Sequence, residues 1–198
     1  MSGQTTFAYT GGNPLSKIDP LGLWSTQAHN AILTTAFPGA TPDILAALQA
    51  GSANADAMLL GYQGGDYAFM HAMSSGSLSP EESCKKLNEF FSKYLKLYQS
   101  NLASANYWSA QGNQALANLA IRDAYFALGF ALHPVMDNTS PAHTGFQLWH
   151  DSDALRHGTF PTSIEDTNSL TPALLQKTVM NMYRAMGSGN GVACGCTN

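Results

Sequence analysis

An all-α domain is what this chain of 198 residues predicts, and three observations lead there. Apolar residues recur at three- and four-residue steps through most of the chain, the spacing of one helix face. Almost no segment alternates apolar and polar residues, as half-buried strands do. Helix-start signals, a Ser or Thr followed by Pro and then acidic residues, occur at Thr41-Pro42-Asp43 and Ser79-Pro80-Glu81-Glu82. The length supports one domain with a real core. The chain is 44% hydrophobic and only 11% charged, against about a quarter charged in an average soluble domain, so Ser, Asn, Gln and Gly dominate its surface.

Residues 1–23 are dense in Gly, Pro and Asn and are expected to form a leader of turns and short extended pieces. From Ser25 the pattern becomes helical, with His29, Ile32, Leu33, Ala36 and Phe37 on one face and Pro38-Gly39 as the stop. Thr41-Pro42-Asp43 caps a second helix with Ile44, Leu45 and Leu48 inward. Gly51 is expected to end it, ahead of Asp56. After Gly61 and Gly64-Gly65, a helix is expected over Asp66–Met73, carrying His71. The Ser79 start opens a long helix to Gln99 or beyond, burying Leu87, Phe90, Phe91, Tyr94, Leu95 and Tyr98. A further helix is expected over Gln111–Met136. Residues 144–170 are polar and are expected to form a long loop, of a length that is usually functional. Thr171-Pro172 starts a last helix to about Met186, and 188–198 is expected to be a flexible tail.

Composition narrows the function. A net charge of −4 leaves no basic footprint for nucleic acid. No uninterrupted apolar run of about 18 residues exists, so no membrane span is expected. The N-terminus lacks a charged segment followed by an apolar one, so no signal peptide is expected. Cys84, Cys194 and Cys196, an odd number with two in a C-x-C tail, make a poor disulfide framework.

The chemistry concentrates at His133-Pro134-Val135-Met136-Asp137-Asn138-Thr139-Ser140-Pro141-Ala142-His143, an H-x3-D-x5-H run. On a helix, His133 and Asp137 share a face. Ser140-Pro141 ends that helix and can turn His143 back toward the same place, and Pro134 can kink it. Imidazole with carboxylate suits zinc and similar divalent ions. The remaining histidines are His29, His71, His150 and His157, and Asp56 adds a second carboxylate.

Two resemblances sharpen these expectations. Tyr9-Thr10-Gly11-Gly12-Asn13-Pro14 through Asp19-Pro20-Leu21-Gly22-Leu23 resembles the end of the core of bacterial rearrangement-hotspot (Rhs) proteins, which close on D-P-x-G-L. That resemblance implies a variable toxin domain after Leu23 (here residues 24–187), released by cleavage between Leu23 and Trp24. It also implies enclosure in an Rhs core shell, delivery into a rival cell, often by type VI secretion in interbacterial competition, and a cognate immunity protein. The order Trp24, His29, Asp56, His71, His133, Asp137, His143 resembles the zinc-dependent phospholipase C family and the related zinc nucleases, all-helical enzymes with three zinc ions. Carried over by position, Asp56, His71, His133 and Asp137 hold one zinc. Asp137 bridges to a second, held also by His29 and by the amine and carbonyl of Trp24. His143 holds a third with His157 and Glu165, or with His150 and Asp153, since Pro161 stands where the usual acid would follow His157. Asp56 is the expected catalytic residue, and Phe146 and Trp149 are expected to meet substrate. The expected function is a phospholipase C acting on a phospholipid membrane surface. A zinc nuclease and a non-enzymatic membrane-active toxin are the alternatives.

Overall fold

The computed structural model describes residues 26–56, 65–141, 143, 145–148 and 170–194. The described residues contain five α-helices and one 3-10 helix: α1 Thr26–Ala36, α2 Pro42–Ala55, the 3-10 helix Gly65–His71, α3 Pro80–Ala110, α4 Gln114–Asp137 and α5 Pro172–Ser188. The all-α expectation is met. The leader 1–23 and most of the 144–170 segment lie outside the described residues.

Local sequence explains the helix starts. Thr41 Oγ1 accepts from the amide of Ile44 and Thr171 Oγ1 from that of Leu174, each with proline in the first turn. Ser79 and Glu82 form a reciprocal capping box, the Ser79 hydroxyl accepting from the Glu82 amide and the Glu82 carboxylate accepting from the Ser79 amide at 2.9 Å. The helix so anchored runs 31 residues, past the expected limit near Gln99. Asn113 caps α4 through Leu116 N–H at 3.1 Å. Gly189, at φ 73, supplies the left-handed residue that ends α5.

α4 is the central element and packs against every other helix. Its eleven successive residues Ala127 to Asp137 are all buried. By length and composition α4 would be long and apolar enough to cross a membrane, which amends the expectation that no segment would. In the fold its C-terminal half is enclosed by protein, and Ile32, Leu33, Leu48, Phe91, Leu128, Leu132, Met136 and Met182 form the core around it. A layer of Phe69, Phe90, Tyr94 and Phe130, with edge-to-face and tilted rings 4.7–6.0 Å apart, seats the 3-10 helix against α3 and α4.

Gly51 does not end α2, which continues to Ala55. Its reason is packing. A Cβ on Gly51 would lie 2.0 Å from the carbonyl oxygen of Phe126, and one on Gly129 would lie 2.0 Å from that of Leu48. The two glycines face each other's helix and let the backbones of α2 and α4 touch, the kind of close approach that makes a glycine worth its cost in helix propensity.

The C-terminal segment corrects two further expectations. Cys84 and Cys194 form a disulfide across 110 residues. Residues 189–194, expected as flexible tail, are docked along α3. Asn88 donates to the Val192 carbonyl at 2.9 Å and accepts from the Val192 amide at 2.7 Å, while Ser92 donates to the Gly189 carbonyl at 2.8 Å. Gly191 lies so close to Asn88 and Leu87 that a Cβ there would sit under 3 Å from both.

Candidate metal centre

Two helices each present a pair of polar residues four apart, and the glycine contact brings the pairs together. α4 carries His133 and Asp137, while α2 carries Ser52 and ends at its C-cap residue Asp56. α1 adds His29, and the 3-10 helix ends on His71, after which the chain turns sharply at Ala72 with φ 53. His29, His71, His133 and Asp137 are all buried.

Asp137 stands at the centre. Its Oδ1 is 2.9 Å from His29 Nε2; its Oδ2 is 3.0 Å from His133 Nε2 and 3.3 Å from His71 Nδ1. His71 Nδ1 and His133 Nε2 are 3.1 Å apart. Asp56 Oδ1 is 3.4 Å from His133 Nε2 and 4.0 Å from His71 Nδ1. A tetrahedral ion with bonds of 2.0–2.1 Å requires donor–donor edges of about 3.3 Å, and these distances bracket that value. The donors of His71, His133 and Asp137 form one group that can hold an ion, and those of His29, Asp56 and His133 a second. One oxygen of Asp137 meets His29 and the other meets the His71–His133 pair, so this carboxylate links the histidines of the two groups.

Burial, reinforced by neighbouring His29 and His71, pushes the His133 imidazole down to about 3, although Asp137 pulls the other way. Burial opposes ionisation of Asp137, yet His133 and His29 hold its carboxyl well below the usual range. A neutral imidazole beside an ionised carboxylate is the protonation state in which both donate to a metal. His29 Nδ1 and His71 Nε2, the ring nitrogens other than those that contact Asp137, are buried without a hydrogen-bond partner among the described residues. The residues present fit a divalent ion.

His143 is fully buried, and its Nδ1 donates to the carbonyl oxygen of His71. That bond selects the tautomer with a basic Nε2 and also holds the His71 backbone. His143 belongs to neither donor group of the centre. Its expected partners His157 and Glu165, or His150 and Asp153, lie outside the described residues, as do Leu23, Trp24 and Trp149. Phe146, expected to meet substrate, is buried against Ala72, Cys84 and Leu87. The turn His143–Phe146 and a left-handed Phe146 backbone at φ 56 direct its ring into the core.

One neighbour of the centre escaped the sequence reading. Ser52 Oγ lies 3.2 Å from His133 Nδ1, both atoms buried. Its only sequence signal is its place one turn before Asp56. No known protein family, curated protein or solved structure matches this chain, and its site is defined by its own geometry.

Proposed function

We propose that the chain carries a zinc-dependent phosphoester hydrolase, a phospholipase C acting on membrane phospholipid and serving as the toxin domain of an Rhs effector. The observation that carries this reading is the pair of donor groups that share His133, one of His71, His133 and Asp137 and one of His29, Asp56 and His133, with the atoms of each group within 4.8 Å of one another. Zinc bound there would supply Lewis acidity and lower the pKa of water toward neutrality. Of the two carboxylates, Asp137 is sealed and Asp56 retains 13% side-chain exposure. We assign to Asp56, the less enclosed of the two although both its oxygens are covered, the role of taking the proton of water as the water oxygen attacks phosphorus. The bond from phosphorus to the leaving oxygen breaks in line, and the leaving oxygen takes up the proton held by Asp56, directly or through solvent, to depart as the alcohol. Asp137 keeps His29, His71 and His133 oriented throughout. The Rhs motif ending at Leu23 supports the toxin assignment, and the net charge of −4 favours lipid over nucleic acid as substrate.

The test is elemental analysis of the purified 198-residue chain, followed by hydrolysis of phosphatidylcholine vesicles and of double-stranded DNA in parallel. Stoichiometric zinc, diacylglycerol release, and loss of both in His133→Ala with helicity retained are expected. Zinc with DNA cleavage alone would transfer the assignment to a nuclease. Absence of bound metal, with membrane permeabilisation intact, would leave the non-enzymatic toxin.

A further inference from the structure

We infer that Ser52 is a positioning residue for the metal centre, acting through His133 by serving both tautomers of its imidazole. The inference rests on the reading that the centre binds zinc.

His133 has no freedom of placement. It is fully buried on α4, its ring is 4.3 Å from that of His29 and 5.0 Å from that of His71, and its Nε2 faces Asp137 and Asp56. Nδ1 points the opposite way, to Ser52 Oγ at 3.2 Å. A neutral imidazole carries one proton, and the partner of one nitrogen decides what the other can do. In the metal-free centre, the proton belongs on Nε2, where it is donated to Asp137 Oδ2 at 3.0 Å. Nδ1 is then a bare acceptor, and the Ser52 hydroxyl donates to it. When zinc binds, Nε2 must present its lone pair, so the proton moves to Nδ1. The same hydroxyl turns about its Cβ–Oγ bond and accepts. A backbone carbonyl or carboxylate at this position would serve only the loaded state, and an amide N–H only the empty one. A hydroxyl serves both, and neither nitrogen of His133 is orphaned in either state.

Ser52 can do this because of where the glycine contact puts it. It follows Gly51, whose backbone lies against Phe126, and is 1% exposed, so no water replaces its hydroxyl. Removing the hydroxyl leaves Nδ1 a bare acceptor in the empty centre, but an unsatisfied N–H in the loaded one. The larger penalty falls on the loaded state, and zinc affinity drops.

The experiment uses the full chain with zinc chloride as probe, comparing wild type, Ser52→Ala and Ser52→Thr. Zinc affinity is read by competition with a chromophoric chelator, and His133 is read by long-range 15N–1H NMR, which distinguishes Nδ1–H from Nε2–H. We expect Ser52→Ala to bind zinc ~10–100-fold more weakly, with an unchanged or raised metal-free melting temperature because alanine favours the helix. Ser52→Thr, which retains the hydroxyl, should recover most of the affinity. The wild-type His133 proton should pass from Nε2 to Nδ1 on zinc addition. Equal affinities for wild type and Ser52→Ala would overturn the inference, as would a His133 tautomer that does not change on loading. A wild type that takes up no zinc overturns the metal reading itself, a separate and recognisable result. Should Ser52→Ala fail to fold, Ser52→Cys, whose thiol is only a weak donor and acceptor, takes its place, and wild-type zinc affinity in that variant would overturn the inference.

Discussion

Reducing the Cys84–Cys194 disulfide should loosen the metal centre as well as the C-terminal segment. Cys84 packs with Ala72, Leu87 and Phe146. Ala72 directly follows His71, and the Phe146 amide donates to the carbonyl of His143, which in turn holds the His71 backbone. Ser74 N–H to Gln147 carbonyl, at 2.9 Å, ties the two segments together beyond. The bond therefore pins residues 189–194 over the cluster that supports His71. The bridge closes a loop with a sequence separation of 110, for which the chain-entropy treatment assigns about 5 kcal/mol of destabilised unfolded state. Losses on removing native disulfides run at about 2–5 kcal/mol. At roughly 2–4 °C per kcal/mol for a chain of this size, the melting temperature should fall by about 5–20 °C. The assay is thermal unfolding by circular dichroism with and without a phosphine reductant that does not bind zinc, first in chelator and then with zinc restored. Thiol titration must show all three cysteines free in the reduced sample. Zinc release to a competing chelator should also quicken on reduction. An unchanged melting curve in fully reduced protein would refute the stability argument. A fallen melting temperature with unaltered zinc release would refute the coupling to His71.

Gly129→Ala places a methyl group 2.0 Å from the Leu48 carbonyl, well inside van der Waals contact, so α2 and α4 must part. A cost of about 1–3 kcal/mol is expected in denaturant unfolding, together with weaker zinc binding as Asp56 draws away from His133; normal stability and affinity would show that the helices do not touch there. The metal-free domain should lose stability as the pH falls below 6.5. His133 takes a proton near 6.5 when unfolded and only near 3 when folded, so the unfolded chain binds more protons between those values. Folding should weaken by up to ~10-fold per pH unit in that window, and Asp137, with its lowered folded value, adds a loss of the same sign at more acid pH. Denaturant titrations at pH 7, 6 and 5 check this, and a flat profile would contradict a buried neutral His133. A protein beginning at Trp24 should bind more zinc than the uncut chain, because an α-amine with a pKa near 8 is a far better ligand than a planar amide. Equal zinc per molecule, with the uncut chain verified by mass, would remove that role from Trp24.

Much of the architecture was legible locally. The starts of α2, α3 and α5 are written in Thr41-Pro42, Ser79-Pro80-x-Glu82 and Thr171-Pro172, because a cap satisfies amides within three residues of itself. The sharing of one face by His133 and Asp137 follows from helical periodicity alone. His29, Asp56 and His71 were placed in the site by their order in the chain, and the fold brings all three to Asp137 or His133. What local pattern does not carry is proximity between distant residues. Gly51 reads as a helix stop until Phe126 is seen against it. Cys84 and Cys194 read as unrelated thiols until the C-terminal segment lies along α3. Phe146 reads as an exposed loop aromatic until its left-handed backbone turns it inward, and Ser52 reads as a small helical residue until His133 arrives from 81 residues away. Capping and periodicity act over a few residues along the chain, so they survive in sequence. A backbone contact, a disulfide and a buried hydroxyl bonded to an imidazole exist only once packing has closed the distances between helices.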